Sequence, residues 1–187
     1  MRLDKNACLR GNGIILVPFC RKYISNDYIG WLNDPEVCRY NRHGNARYTR
    51  AKAIAYLTSI QEDPNKVVFA ILDKKTRAYL GNIGLYVERS DRSAEIAILL
   101  GAKKCWGRGI GTEAVRLVSQ YAFGKLRLHR LCMGMMAENQ GMVRIACKLG
   151  FRREGVLKDA MIKNGCFKDV TLWGKINRKD SRKKDAP

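Results

Sequence analysis

Acidic residues are scarce in this chain. Seventeen Asp and Glu stand against 36 Lys and Arg, a formal net charge of +19 over 187 residues. That shortage argues against a site built for a polycation. It favours phosphorylated small molecules, ribosomal RNA or other anionic partners, although a surface charge that only sets solubility accounts for it equally. Histidine is nearly missing, with only His43 and His129. The seven cysteines are odd in number and form no C-x-x-C pair, so neither a disulfide framework nor a zinc site is expected. Reduced thiols in a cytoplasm fit that usage. No apolar run reaches the roughly 18 residues that cross a membrane. Met1-Arg2-Leu3-Asp4-Lys5 leads into no signal-peptide apolar stretch. Linkers and internal repeats are also lacking. The expectation is one domain over residues 1–176 and a basic, disordered tail over 177–187. From Lys175 onward the chain carries six basic and two acidic residues.

What is present is a glycine run, Trp106-Gly107-Arg108-Gly109-Ile110-Gly111-Thr112-Glu113-Ala114. It follows the apolar stretch Ile96-Ala97-Ile98-Leu99-Leu100 and precedes a segment with helical spacing. The order is strand, glycine loop, helix. Glycines let backbone N–H groups approach a ligand, and a helix start adds unpaired donors and a positive dipole end. Such a loop suits a phosphate or pyrophosphate, and a tight turn is the plain alternative. Gly111-Thr112-Glu113 lacks the lysine of a P-loop. A dinucleotide fingerprint needs an acidic residue at the end of the next strand, and Glu138 comes only after Leu128–Met136.

The remaining pattern predicts strands over Ile14–Phe19, Val67–Leu72, Tyr79–Glu88, Ala94–Leu100 and Leu128–Met136, with Gly81 and Gly84 as candidate bulges. Ser25 and Thr49 cap two early helices, which end at Asp34-Pro35 and Asp63-Pro64. A third helix runs from Ile110 to about Gly124, and a fourth from Asn139 to Leu149, closed by Gly150. Phe151–Lys163 and Phe167–Ile176 form a last hairpin across Asn164-Gly165. The fold class is α+β, a mixed sheet of about seven strands with about four helices.

Three segments in this order resemble the GNAT superfamily of N-acetyltransferases: Ala94–Gly101 followed by Trp106–Ala114; Ala137-Glu138-Asn139 leading to Lys148-Leu149-Gly150-Phe151; and Arg153–Leu157 with Asn164–Asp169. Trp106 stands where the family signature has Gln or Arg. A Trp-Gly there is similar to the branch with ribosomal-protein N-terminal and amino-sugar acetyltransferases. The resemblance implies acetyl-CoA as cosubstrate, no metal, and a pyrophosphate held by the backbone of Trp106, Gly107, Arg108, Gly109, Ile110, Gly111 and Thr112. It implies that the pantetheine arm pairs with the strand near Leu99 and Leu100, where a backbone N–H polarises the thioester carbonyl. Asn139 matches the asparagine that helps hold that arm, and also reads as a helix N-cap. Ala146 occupies the position where many relatives carry a tyrosine acid, so water would protonate the departing thiolate. Cys147 beside it, and His129 entering a strand, read as structural.

The base for the acceptor amine is assigned to Glu95, mid-strand on one face with Ala97 and Leu99. It faces either the cleft or a salt-bridged surface. For the acceptor, Trp31, Tyr40, Arg42 and His43 are the candidates, with Arg39 and Arg47 as further cations. Trp31 reads equally as an anchor of the first helix. Segment 31–43 resembles enzymes acting on nucleotide-linked amino sugars, which makes such a phosphorylated small-molecule amine the first expectation. A ribosomal-protein N-terminus is the second. A non-catalytic RNA- or ribosome-binding module on the same fold is the alternative from another class. No membrane insertion is expected. The oligomeric state is left open, a homodimer being one possibility.

Overall fold

The computed structural model describes residues 4–43 and 45–178. Eight strands form one sheet in the order β1-β2-β3-β4-β5-β6-β8-β7. They are β1 (Leu9–Arg10), β2 (Ile14–Pro18), β3 (Lys66–Asp73), β4 (Tyr79–Glu88), β5 (Ser93–Leu100), β6 (Arg130–Met136), β7 (Arg152–Lys163) and β8 (Cys166–Ile176). Pairing is antiparallel except between β5 and β6. The four α-helices are α1 (Asn26–Asn33), α2 (Arg50–Glu62), α3 (Ile110–Gln120) and α4 (Gln140–Lys148).

The helices divide between the two faces of the sheet. Ala114, Val115 and Val118 of α3 and Ala146 of α4 bury against Ile83, Leu85, Ile96 and Leu131. Tyr28 and Leu32 of α1 and Ala53, Leu57 and Ile60 of α2 bury against Val68, Ala70 and Leu72 on the other face. Burying each such Leu or Ile stabilises the fold by about 1.5–3 kcal/mol. Alternation along β5 follows from this division. Ala94 and Ile96 are buried beneath α3, while Glu95 and Ala97 are on the α1/α2 side, on a stretch of it that those helices leave exposed.

Three helix starts are closed by the expected chemistry. Ser25 Oγ accepts from Tyr28 N (3.2 Å), Thr49 Oγ1 from Lys52 N (3.3 Å) and Asn139 Oδ1 from Met142 N (3.1 Å). The start of α3 has no side-chain cap; its N-cap is Gly109, left-handed at φ 80°.

Some expectations shift. Strand β1 was not expected, because two residues carry no readable period. The regular part of α3 ends at Gln120, and a π-helical turn over Tyr121–Lys125 follows, with Leu126 N donating to Tyr121 O (3.1 Å). The β3–β4 register shifts between Ile71 and Leu72, which pair Gly81 and Tyr79, so the bulge falls at Leu80. Gly84 is in regular register with Val68. The basic tail lies outside the described residues from 179 onward. Asn177 belongs to the body, donating to His129 O (2.8 Å) and Leu128 O (3.2 Å).

Candidate active site

Strands β5 and β6 pair over only three positions, Ser93↔Arg130, Ala94↔Leu131 and Glu95↔Cys132, and then part. Beyond that point β5 keeps β4 on one side, and β6 keeps β8. Among the described residues, no strand pairs with the β6-facing edge of Ile96–Leu100. An open edge of this kind presents backbone donors and acceptors to whatever enters.

The glycine loop lies at the far end of that edge. Trp106 Nε1 donates to Leu100 O (2.9 Å) and so ties the loop to the strand. Gly107 and Gly109 have φ 73° and 80°, and nothing lies within 4 Å of where a Cβ would stand. Backbone conformation and not crowding is what calls for glycine there. Gly111 is different, since a Cβ would press on Ile145 Cδ1 (3.0 Å) and Leu100 Cδ1 (3.3 Å). It lets α3, α4 and β5 meet closely.

Between these elements runs a groove of about 720 Å³. Ile98, Leu99 and Leu100 line one side, Trp106, Gly107 and Gly109–Thr112 its end, and Asn139 the start of α4. Arg39 and Tyr40, from the segment after α1, close it above. Lys103 holds that segment in place through Asp34 (2.7 Å) and Glu36 (2.6 Å). Its ammonium keeps the Asp34 carboxyl below the ordinary carboxylate range. Arg144 and Lys148 also line the groove. Sequence reasoning passed over both, although their i, i+4 spacing on α4 places them on one helix face.

Glu95 stands where the two strands part. Its side chain is exposed and approaches the position above Gly134. Directly opposite it on β4 is Tyr86, whose hydroxyl lies 2.9 Å from that of Tyr56 on α2. Opposed residues of antiparallel strands share a face, with Cβ atoms roughly 4.5–5.5 Å apart. Tyr79, on the same strand, donates to Asn82 Oδ1 (2.7 Å). Burial, then the neighbouring Tyr86, pushes the Tyr56 hydroxyl far up, so it remains a neutral donor and acceptor. Neither Tyr56 nor Tyr86 was singled out from sequence, because their facing positions depend on strand register.

The four acceptor candidates do not all lie together. Tyr40 lines the groove. Trp31 packs at 5.0 Å from Tyr79, and its ring covers Gly101 so closely that a Cβ there would overlap it. Arg42 is exposed, and the cation beside Tyr40 is Arg39, at 5.2 Å. His43 meets Tyr48 edge-on at 5.5 Å, and its carbonyl accepts from Lys163 Nζ (2.6 Å) on β7. Lost hydration, then the Lys163 ammonium, holds the His43 imidazole below its ordinary pKa. All seven cysteines are free thiols, and among the described residues no group of His, Cys, Asp and Glu is placed to hold a metal.

Two splayed parallel strands, an uncapped helix start with left-handed glycines and a long groove between them fit a diphosphate-bearing thioester. They define an acyl-CoA-dependent transferase. A family profile described as an acetyltransferase (GNAT) domain matches residues 14–152. The chain belongs to this family and is an acetyl-CoA-dependent N-acetyltransferase. It is similar to the N-acetyltransferase 9-like protein of Caenorhabditis briggsae, with 26% identity over 92% of this chain and 87% of that one. It is also similar to the human alpha/beta-tubulin-N-acetyltransferase 9, with 27% identity over 92% and 84%. The fold is shared with RimL, a ribosomal L7/L12 alpha-N-protein acetyltransferase solved with coenzyme A. That likeness has a TM-score of 0.82 at 14% identity, over 91% of this chain and 98% of RimL.

Proposed function

We propose that the chain acetylates the α-amine of a polypeptide N-terminus. The observation that carries this reading is Glu95, exposed where β5 and β6 part, on a stretch of the α1/α2 face that those helices do not bury. An exposed stretch of sheet face accommodates the extended backbone that follows an N-terminal amine. The similarity to a protein named as a tubulin N-acetyltransferase supports a macromolecular acceptor. The basic surface favours an acidic one. The nucleotide-linked amino sugar draws on segment 31–43, of which Glu36, Val37, Arg39, Tyr40 and Asn41 line the groove.

When bound, acetyl-CoA supplies an acetyl group activated as a thioester. The backbone of Trp106–Thr112 would hold its diphosphate, with Arg144 and Lys148 adding positive charge. Asn139 and the open edge at Leu99 and Leu100 would receive the arm. Glu95, directly or through a water, takes the proton that the acceptor amine sheds to become nucleophilic. A backbone N–H on the unpaired edge of β5 would stabilise charge developing on a carbonyl oxygen bound there, an interaction that is typically worth about 2.7–4 kcal/mol. Residue 146 is alanine, buried in the core, so no tyrosine acid stands there, and solvent would supply the proton to the departing thiolate. The seven unpaired thiols support a cytoplasmic setting.

Thiol release from acetyl-CoA tests the reading with three acceptors: a peptide with a free α-amine, the same peptide with that amine blocked, and a UDP-linked 4-amino sugar. Turnover with the first alone supports it. Turnover with the sugar alone replaces it by the small-molecule acceptor.

A further inference from the structure

Midway along β6 stands an exposed glycine, Gly134, in regular register with Leu172 of β8. No turn or positive φ calls for glycine there. Glycine inside a strand weakens it and marks a place where something approaches closely. A methyl group built on Gly134 would meet Val170 Cγ1 at 3.7 Å, Leu172 Cδ2 at 3.9 Å and Glu95 Oε1 at 4.0 Å. The space above this glycine therefore has two walls of unlike chemistry. One is a carboxylate from β5, and the other is a pair of branched apolar side chains from β8. Leu157 of β7, in register with Val170, extends the apolar wall. Leu157 and Leu172 are 47% and 36% exposed, so part of this apolar surface is open to solvent.

Those walls select their occupant. The carboxylate asks for an ammonium or amine in a chain that is otherwise strongly basic. The apolar pair asks for a bulky hydrocarbon within a few ångströms of that nitrogen. A polypeptide beginning with a large apolar residue meets both demands, because its α-amine and first side chain leave the same carbon. A lysine side chain carries no branch beside its amine, and an amino sugar carries hydroxyls there.

We propose that Gly134, Val170, Leu172 and Leu157 form a pocket for the first side chain of the acceptor. The enzyme then selects polypeptides that begin with Met, Leu or another large apolar residue over those that begin with Gly, Ala or Ser. This inference rests on the polypeptide reading above.

Two conjugates test it: coenzyme A joined through an acetyl bridge to the α-amine of a Met-first peptide, or of a Gly-first peptide otherwise identical. Calorimetry gives their affinities relative to coenzyme A itself, for the wild type, Gly134→Val and Leu172→Asp. Valine has a higher strand propensity than glycine, and its Cβ meets its neighbours at ordinary van der Waals distance; thermal melting of both variants checks that the fold is kept. The Met conjugate is expected to bind the wild type about tenfold tighter than the Gly conjugate, from burial of the first side chain. Both variants should lose that preference while keeping their affinity for coenzyme A. Equal binding of the two conjugates, each tighter than coenzyme A, overturns the pocket and leaves the polypeptide reading intact. Neither conjugate binding tighter than coenzyme A overturns both. A Gly134→Val protein that keeps the Met preference overturns the pocket.

Discussion

Gly109→Ala and Gly109→Asp, compared with each other, separate the two roles of the glycine loop. Gly109 has φ 80° and ψ −1°, and no atom lies within 4 Å of a Cβ built there. Both substitutions therefore suffer the left-handed backbone penalty and no clash. That penalty is about 1–2 kcal/mol for an L-residue, somewhat less for Asp, whose short polar side chain tolerates the region. In a chain of this size it lowers the melting temperature by about 2–8 °C. Gly109→Asp should be no less stable than Gly109→Ala, so any difference in acetyl-CoA affinity between them reports the added charge. At an effective dielectric between that of a protein surface and that of water, a carboxylate beside a diphosphate costs about 1–3 kcal/mol, or roughly 5- to 150-fold in affinity. Screening shrinks that factor as salt rises, because the Debye length falls from about 8 Å at physiological ionic strength to about 3 Å at 1 M. Calorimetric titration of acetyl-CoA at 0.05 M and 0.5 M salt, with thermal unfolding of both variants, gives all the quantities. Equal affinities of the two variants at low salt would refute the placement of the diphosphate at this loop.

Glu95→Gln should slow turnover by about 10²- to 10⁴-fold, the usual worth of a positioned base, with acetyl-CoA affinity unchanged; steady-state kinetics and calorimetry together check it. Trp106→Phe removes the donor to Leu100 O. It should cost about 1 kcal/mol of stability and weaken acetyl-CoA binding through a looser loop, which melting and titration measure. The depressed pKa of His43 gives stability that is fully present above its unfolded value near 6.5 and is lost as pH falls through the lower folded value. Stability between pH 7 and 5 should therefore decline less steeply in His43→Gln than in the wild type, as followed by urea unfolding across that range.

Local chemistry made much of the fold legible. Ser25, Thr49 and Asn139 announce helix starts because a short polar side chain satisfies a free N–H within three residues, and all three caps form. The span Tyr79–Glu88 is bounded by turn residues on both sides and is one strand. The glycine run belongs to the same class of signal, since its conformation is written in residue type. Strand β1 was missed because it has no period, and the bulge at Leu80 because it depends on how β3 and β4 align. Glu95 could be placed on a strand face from alternation alone, but that the face is open was not readable. That depends on where α1 and α2 stop.

By itself the sequence determined the order of the elements from β2 onward and the place of the glycine run, because capping, turn chemistry and hydrophobic period act over a few residues; its motifs in that order carried the resemblance to the family. Tertiary structure alone decided that β5 and β6 part just after Glu95. It also decided that Tyr86 stands opposite Glu95, that Arg144 and Lys148 reach the groove, and that Trp31 packs on Gly101. Each is a meeting of residues distant in sequence, set by strand register and by which helix covers which face.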